Sequence, residues 1–165
     1  MGCLKFLFPI ELGEAELLVI KPDNGKSVKV KFILNTYKLT KKNIFAEAAI
    51  PGLSGAPLQF VKGQSELLSM VVYFDARKEG RDVRELTKSV SDLMSIDDQL
   101  HAPPVLLFRW KEFPFRCVLE SMAEEIVSLF PDGRPSRARM CVTFKEMSEL
   151  RDSIQEESRK QSGSG

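Results

Sequence analysis

Pro135-Ser136-Arg137-Ala138-Arg139-Met140-Cys141-Val142-Thr143-Phe144-Lys145-Glu146 is the stretch that decides the fold. Ala138, Met140, Val142 and Phe144 alternate with Arg137, Arg139, Thr143 and Lys145. A period of two puts the first set on one side of an extended chain and the second on the other, the pattern of a strand half in a core and half in water. Pro131-Asp132-Gly133-Arg134-Pro135 before it is dense turn chemistry. The strand ahead of that turn puts Phe113, Phe115, Cys117 and Leu119 on one face and continues toward Phe130. Val105–Trp110 supplies one strand more.

The same reading extends toward the N-terminus. Glu14–Ile20 is apolar-rich, Lys21-Pro22-Asp23-Asn24-Gly25 is a turn, and Val28, Val30 and Phe32 then alternate with Lys29 and Lys31. Residues 14–34 therefore read as a hairpin. Glu66–Asp75 is apolar on both faces, which predicts a strand covered from both sides by a second layer or a neighbouring subunit. One helix is expected over about 81–95, with Asp82 as N-cap, Glu85 as its capping-box partner, and an apolar stripe of Val83, Leu86, Val90, Leu93 and Met94. His101-Ala102-Pro103-Pro104 ends any continuation. The expected class is mainly β (α+β): an antiparallel barrel or sandwich of six or seven strands with one flanking helix.

Residues 35–64 break the pattern. Lys38, Lys41, Lys42 and Asn43 are followed by Pro51-Gly52, Gly55, Pro57 and Gly63, with few periodic apolar positions. A long stretch of this kind inside a compact domain predicts a functional excursion, here an extended arm or long hairpin. The expected organisation is an N-terminal extension over 1–13, a β domain over 14–146, and a polar tail or linker over 147–165.

Composition narrows the function. Lys and Arg number 24 against 23 Asp and Glu, so no global field draws nucleic acid or anionic lipid. Cys3, Cys117 and Cys141 have neither zinc-site nor framework spacing and are expected to be thiols. His101 lies beside two prolines without an orienting partner, Glu124-Glu125 point to opposite faces of a strand, and Asp97-Asp98 is turn chemistry. Pro51-Gly52-Leu53-Ser54-Gly55 lacks the Lys-Ser/Thr ending of a phosphate loop. No enzyme, cofactor or metal site is expected. No apolar run approaches the ~20 residues of a membrane helix, and Phe6 stands where a myristoylation motif wants Ser or Thr. The basic groups Lys38, Lys41, Lys42 and Arg134, Arg137, Arg139 lack the interleaved exposed aromatics of a single-strand binder.

From Ile50 to Glu146 the chain resembles a known family. The residues that carry the resemblance are Ile50-Pro51-Gly52-Leu53, Ala56-Pro57-Leu58-Gln59-Phe60-Val61, Tyr73-Phe74-Asp75, Gly80-Arg81-Asp82-Val83-Arg84, Leu100–Trp110, Phe113-Pro114-Phe115, Val118–Ser121, Leu129–Ala138 and Val142–Glu146. They are similar to the N-terminal tube-like domain of contractile injection system tube-initiator (baseplate hub) proteins, relatives of phage tail components. The likeness covers about 130 of the 165 residues. It implies a tail-tube-type β-barrel in a hexameric ring that joins the spike hub to the inner tube. The implied partners are copies of itself, the inner tube protein, the spike hub protein and baseplate components. The implied location is the bacterial cytoplasm during assembly, then a phage-tail-like particle that is released or cell-anchored. Family members often carry a LysM repeat. Residues 147–165 carry none, which leaves peptidoglycan contact doubtful for this stretch of chain, or assigns it to a portion outside it. Leu34-Asn35-Thr36 also departs from the Phe-Asn-Pro that the family tends to show, which loosens the expected turn into the arm.

The expected interface residues are Lys38, Lys41, Lys42, Phe45, Pro51 and Leu53 on the arm, with Phe45 and Leu53 as apolar anchors, and Arg134, Arg137 and Arg139 on the last turn and strand. The alternative is a stand-alone carbohydrate- or peptidoglycan-binding module, which predicts exposed aromatic platforms. Trp110, Tyr37 and Tyr73 are the available candidates.

Overall fold

The computed structural model describes residues 12–23, 25–33, 37–52 and 54–148. Nine strands run in the order β1 (Leu12–Lys21), β2 (Ser27–Ile33), β3 (Lys38–Thr40), β4 (Asn43–Glu47), β5 (Leu58–Gly63), β6 (Leu67–Asp75), β7 (Val105–Trp110), β8 (Phe113–Leu129) and β9 (Pro135–Glu146). Between β6 and β7 lie α1 (Arg84–Ser91) and a 3-10 turn (Asp92–Met94). The fold is mainly antiparallel β with one short helix, as the alternation indicated.

Seven strands form one sheet in the order β2-β1-β7-β8-β9-β6-β3, and β2 also pairs with β6. That extra pairing closes the sheet on itself. It is brief: only Lys31↔Tyr73 and Phe32↔Val72 are in register. β3 then takes the same edge of β6 through Lys38↔Ser69 to Thr40↔Leu67. The barrel is held on its opposite side by the long β8–β9 ladder and by β6–β9, which runs unbroken from Leu67↔Lys145 to Asp75↔Arg137.

The interior is filled by the residues that alternation selects. Ala15, Leu17 and Val19 meet Val28 and Val30, and Leu68, Met70, Val72 and Phe74 meet Ala138, Met140, Val142 and Phe144. Phe108 and Phe144 are 1% exposed with ring centroids 6.0 Å apart, so the core is plugged by aromatics and leaves no bore within the protomer. The outer row of β6 (Leu67, Ser69, Val71 and Tyr73) is half-buried. This is the second apolar face noted in the sequence.

The helix is shorter than the expected 81–95. Asp82 does act at its start, where Oδ1 accepts the Arg84 backbone N–H at 2.9 Å, but Glu85 faces Arg81 at 3.8 Å and closes no capping box. Val83, Val90 and Leu93 are buried against the barrel, whereas Met94 is exposed. Cys117 is a free, buried thiol whose pKa is pushed up to about 12 by desolvation. It is therefore protonated and inert at neutral pH. Cys141 is disulfide-bonded, which corrects the expectation that it is a thiol.

Candidate functional site

The barrel has two chemically different ends. At the arm end lie the start of β6, the finish of β9 and the β7–β8 turn. Tyr37 and Trp110 meet edge to face there at 6.0 Å, above Phe113 and Phe108. The Lys111 ammonium lies 5.4 Å from the Trp110 ring centre. An indole engaged by both a ring edge and an ammonium is not an open stacking platform.

From the arm end projects a separate two-stranded sheet, β4 paired with β5. Its register shifts between Ile44 and Phe45, a bulge that re-aims the side chains beyond it. Every residue of β5 is exposed. Phe45 and Phe60 pack edge to face at 5.8 Å yet remain 52% and 59% exposed, and Leu58 is 68% exposed. Burying these side chains would be worth about 1.5–3 kcal/mol each, and the protomer leaves them in water. Pro51 and Gly52 form the turn at the tip, where φ of +90° at Gly52 favours glycine. Leu53 lies outside the described residues.

The second feature is a sheet edge. β7 covers β8 only over Phe113–Cys117, while β9 pairs with β8 from Cys117 to Leu129. Val118–Leu129 therefore has one ladder satisfied and the other edge open. Bulges between Leu119 and Ser121 and between Ile126 and Ser128 shift the alternation along it. Ile126, Val127 and Leu129 are exposed beside this edge. A long open edge with exposed apolar side chains is a template for another chain.

The opposite end is a lattice of ion pairs. Asp75, Asp82 and Asp132 repeat one local device, in which Oδ1 accepts the backbone N–H two residues on and the carboxylate binds that residue's guanidinium. The side-chain distances are 2.6 Å to Arg77, 2.6 Å to Arg84 and 2.7 Å to Arg134. Arg134 also donates to the Gly80 carbonyl at 3.1 Å and lies 5.2 Å over the Phe130 ring, which ties the two turns together. These contacts hold all three carboxyls below the ordinary carboxylate range, with the side-chain bond to the arginine the largest cause. Because each folded-state pKa lies below its unfolded value, the pairing is complete at neutral pH and is lost as pH falls through the lowered values. Thermal melts should therefore be insensitive to these pairs from about pH 7 to pH 5 and should weaken only in stronger acid. Asp132→Asn should flatten part of that acid slope.

The expected interface residues are thus dispersed. Lys38 is exposed on β3; Lys41 pairs with Glu66 at 3.0 Å; Lys42 is exposed at the arm root; Phe45 stands on the arm. Arg139 is bound to Glu125 across the β8–β9 ladder, Arg137 is half-buried beside Asp75, and Arg134 serves its own turn. The structure places Phe45 and Pro51 on the projecting hairpin, leaves Lys38 in the main sheet, and commits Arg134 and Arg139 to partners inside the protomer. Sequence reading missed Leu58 and Phe60 as companions of Phe45, although Leu58-Gln59-Phe60-Val61-Lys62 mixes apolar and polar residues enough to signal a strand.

Among the described residues no group of three or more His, Cys, Asp or Glu is placed to hold a metal ion, and no helix is long and apolar enough to cross a membrane. A closed barrel with a projecting apolar hairpin and an open strand edge defines a class of protein that works by assembly. The comparison with known families agrees: the model for contractile injection system tube proteins matches residues 18–155, and the chain belongs to that family. It is a structural family whose members assemble with other tube or baseplate proteins into phage-tail-like particles. A search of curated proteins returned no match.

Proposed function

We propose that this chain forms a hexameric ring at the spike end of the tube, joining the spike hub to the inner tube. The observation that carries the reading is the open edge Val118–Leu129 next to a barrel that is otherwise closed. In a ring, a strand from the adjacent protomer completes that ladder, main chain to main chain. The arm laps over the next protomer or layer and buries Phe45, Leu58 and Phe60. Obligate contacts of this kind cover on the order of 2,000 Å² or more. Assembly takes place in the bacterial cytoplasm, and the arm, the β8 edge and the two barrel ends meet copies of the chain, the tube, the hub and the baseplate. No step requires catalysis.

The ring is tested by combining the purified protein with tube and spike components and imaging the product by electron microscopy. Rings seated between spike and tube are expected. Tubes that start from the spike equally well without this chain would overturn the reading. The carbohydrate-binding alternative finds no support in the geometry, because Tyr37 and Trp110 stand edge to face at 64° rather than as coplanar platforms.

A further inference from the structure

Cys141 is disulfide-bonded, and the chain contains three cysteines. Cys117 is a free thiol, 0% exposed inside the barrel. Cys141 stands between Met140 and Val142, both buried in the core, so it points to the outer face of the sheet. Within one chain that leaves Cys3 as its partner. The strip around Cys141 is mostly uncharged. Val71 of β6 and Ala123 of β8 flank it, and one step along the same face Ser69 and Thr143 share a hydrogen bond at 3.1 Å. Val71, Tyr73 and Cys141 are half-buried, whereas the outward Lys29 and Lys31 of β2 are exposed.

The register brings the start of β1 within reach of this strip. Leu12 pairs with Ile33. Phe32 pairs with Val72, and carrying that register one residue on sets Ile33 level with Val71, which pairs with Cys141. Leu12 and Cys141 are therefore level along the strand direction, separated by the β1–β2, β2–β6 and β6–β9 spacings. At about 4.8 Å each these total about 15 Å, whereas Leu4–Glu11 at about 3.3 Å per residue extends to about 26 Å. The surplus allows for the curvature of the barrel. Segment 1–11 carries Leu4, Phe6, Leu7, Phe8 and Ile10, with Lys5 and Glu11 as its charged side chains, a composition that suits an apolar strip. Its path crosses the β2–β6 seam, where the barrel closes through Lys31↔Tyr73 and Phe32↔Val72 alone.

We propose that segment 1–11 is a redox-controlled strap, drawn by a Cys3–Cys141 disulfide over the outer face of β2, β6 and β9, where it covers Val71 and Tyr73 and staples the seam. Closing the strap is a two-electron oxidation, and a disulfide such as oxidised glutathione accepts the electrons. One cysteine thiolate attacks the glutathione disulfide and releases one glutathione thiol. The second cysteine thiolate then attacks the mixed disulfide and releases the other, so two cysteine thiols become one disulfide and one glutathione disulfide becomes two thiols. A reducing cytoplasm keeps the strap open, and oxidising surroundings close it. Because the bond joins positions near the two ends of the chain, it restrains the unfolded chain over most of its length. The inference concerns a single protomer and stands apart from the ring.

The test equilibrates the full-length protein with oxidised glutathione, alkylates the remaining thiols, digests with trypsin without reduction and maps the peptides by mass spectrometry. The Cys3 peptide ending at Lys5 should be joined to Met140–Lys145, with Cys117 recovered as a thiol. Reduction should lower the melting temperature of the oxidised protein by about 5–10 °C. Cys3→Ser should melt like the reduced parent with or without oxidant, and its cooperative transition shows that the barrel is folded. Phe6→Ser with Phe8→Ser keeps both cysteines and removes apolar surface from the strap, so it should shift the glutathione equilibrium at least tenfold toward the thiols. Alkylation of both Cys3 and Cys141 after oxidation, or a Cys141–Cys141 bond between two copies, would overturn the proposal. So would a Cys3→Ser protein that melts like the oxidised parent, or an unchanged glutathione equilibrium in the serine variant.

Discussion

Phe45→Asp is expected to leave the barrel's melting curve unchanged and to abolish assembly. Phe45 is half-exposed on a hairpin outside the core, and its ring contact is to Phe60 on the same hairpin. Nothing in the closed sheet depends on it. In the assembled particle the same position is an apolar anchor, and a carboxylate there would be desolvated without a partner. Truncating an anchor at the centre of an interface costs about 2 kcal/mol or more, roughly a 30-fold loss in affinity per contact. A ring repeats the contact in every protomer, so the loss compounds. Sedimentation velocity should show the variant as protomers under conditions in which the parent forms rings. Phe60→Asp should behave alike, and Lys62→Asp, on the same strand but polar already, should have a far smaller effect.

The opposite pattern is expected of Phe108→Ala, which attacks the fold. Phe108 is 1% exposed, contacts Phe144 and Phe113, and sits where β7 joins β1 to β8. Removing a buried phenyl ring removes its transfer free energy and leaves a cavity that a closed barrel cannot collapse, for a cost of about 3–5 kcal/mol. For a domain of this size that lowers the melting temperature by on the order of 10 °C. Urea denaturation checks it: the midpoint should fall while the slope stays constant. If Phe108→Ala and Phe45→Asp were to shift stability alike, the division between a self-sufficient core and an arm that serves neighbours would be wrong.

What the sequence made legible follows from locality. β9 and β2 declared themselves because one-sided burial writes a period of two into consecutive residues, and Val28, Met140 and Phe144 are buried as that period requires, whereas β6 declared itself by being apolar on both faces. The helix announced its start through Asp82 but not its change to a 3-10 turn at Asp92, since the apolar stripe runs on through Leu93. β8 was legible as a strand running toward Phe130, as it does to Leu129, but its buried face was legible only as far as Leu119. The bulges after it shift the face of each later residue, and bulges are fixed by the partner strand rather than by the strand's own sequence. Closure through Lys31↔Tyr73 is a pairing across 42 positions, which no local pattern encodes. The candidate site divides in the same way. Phe45 was singled out as a candidate apolar anchor of the arm, while Phe60, its partner across the hairpin, was not. The three arginines were read as free charge for a neighbour, and for Arg134 and Arg139 that reading could not see Asp132 and Glu125 beside them.

The central claim is that a protomer with a complete core still has an unfinished sheet edge, which only other chains complete. Hydrogen–deuterium exchange compares the dispersed protein directly with assembled rings. The account predicts that amides of 118–129 and of the arm, 43–63, become strongly protected on assembly, while those of 138–144, already paired on both sides, change little. Exchange over 118–129 and 43–63 that is the same in rings and in free protomers would contradict it.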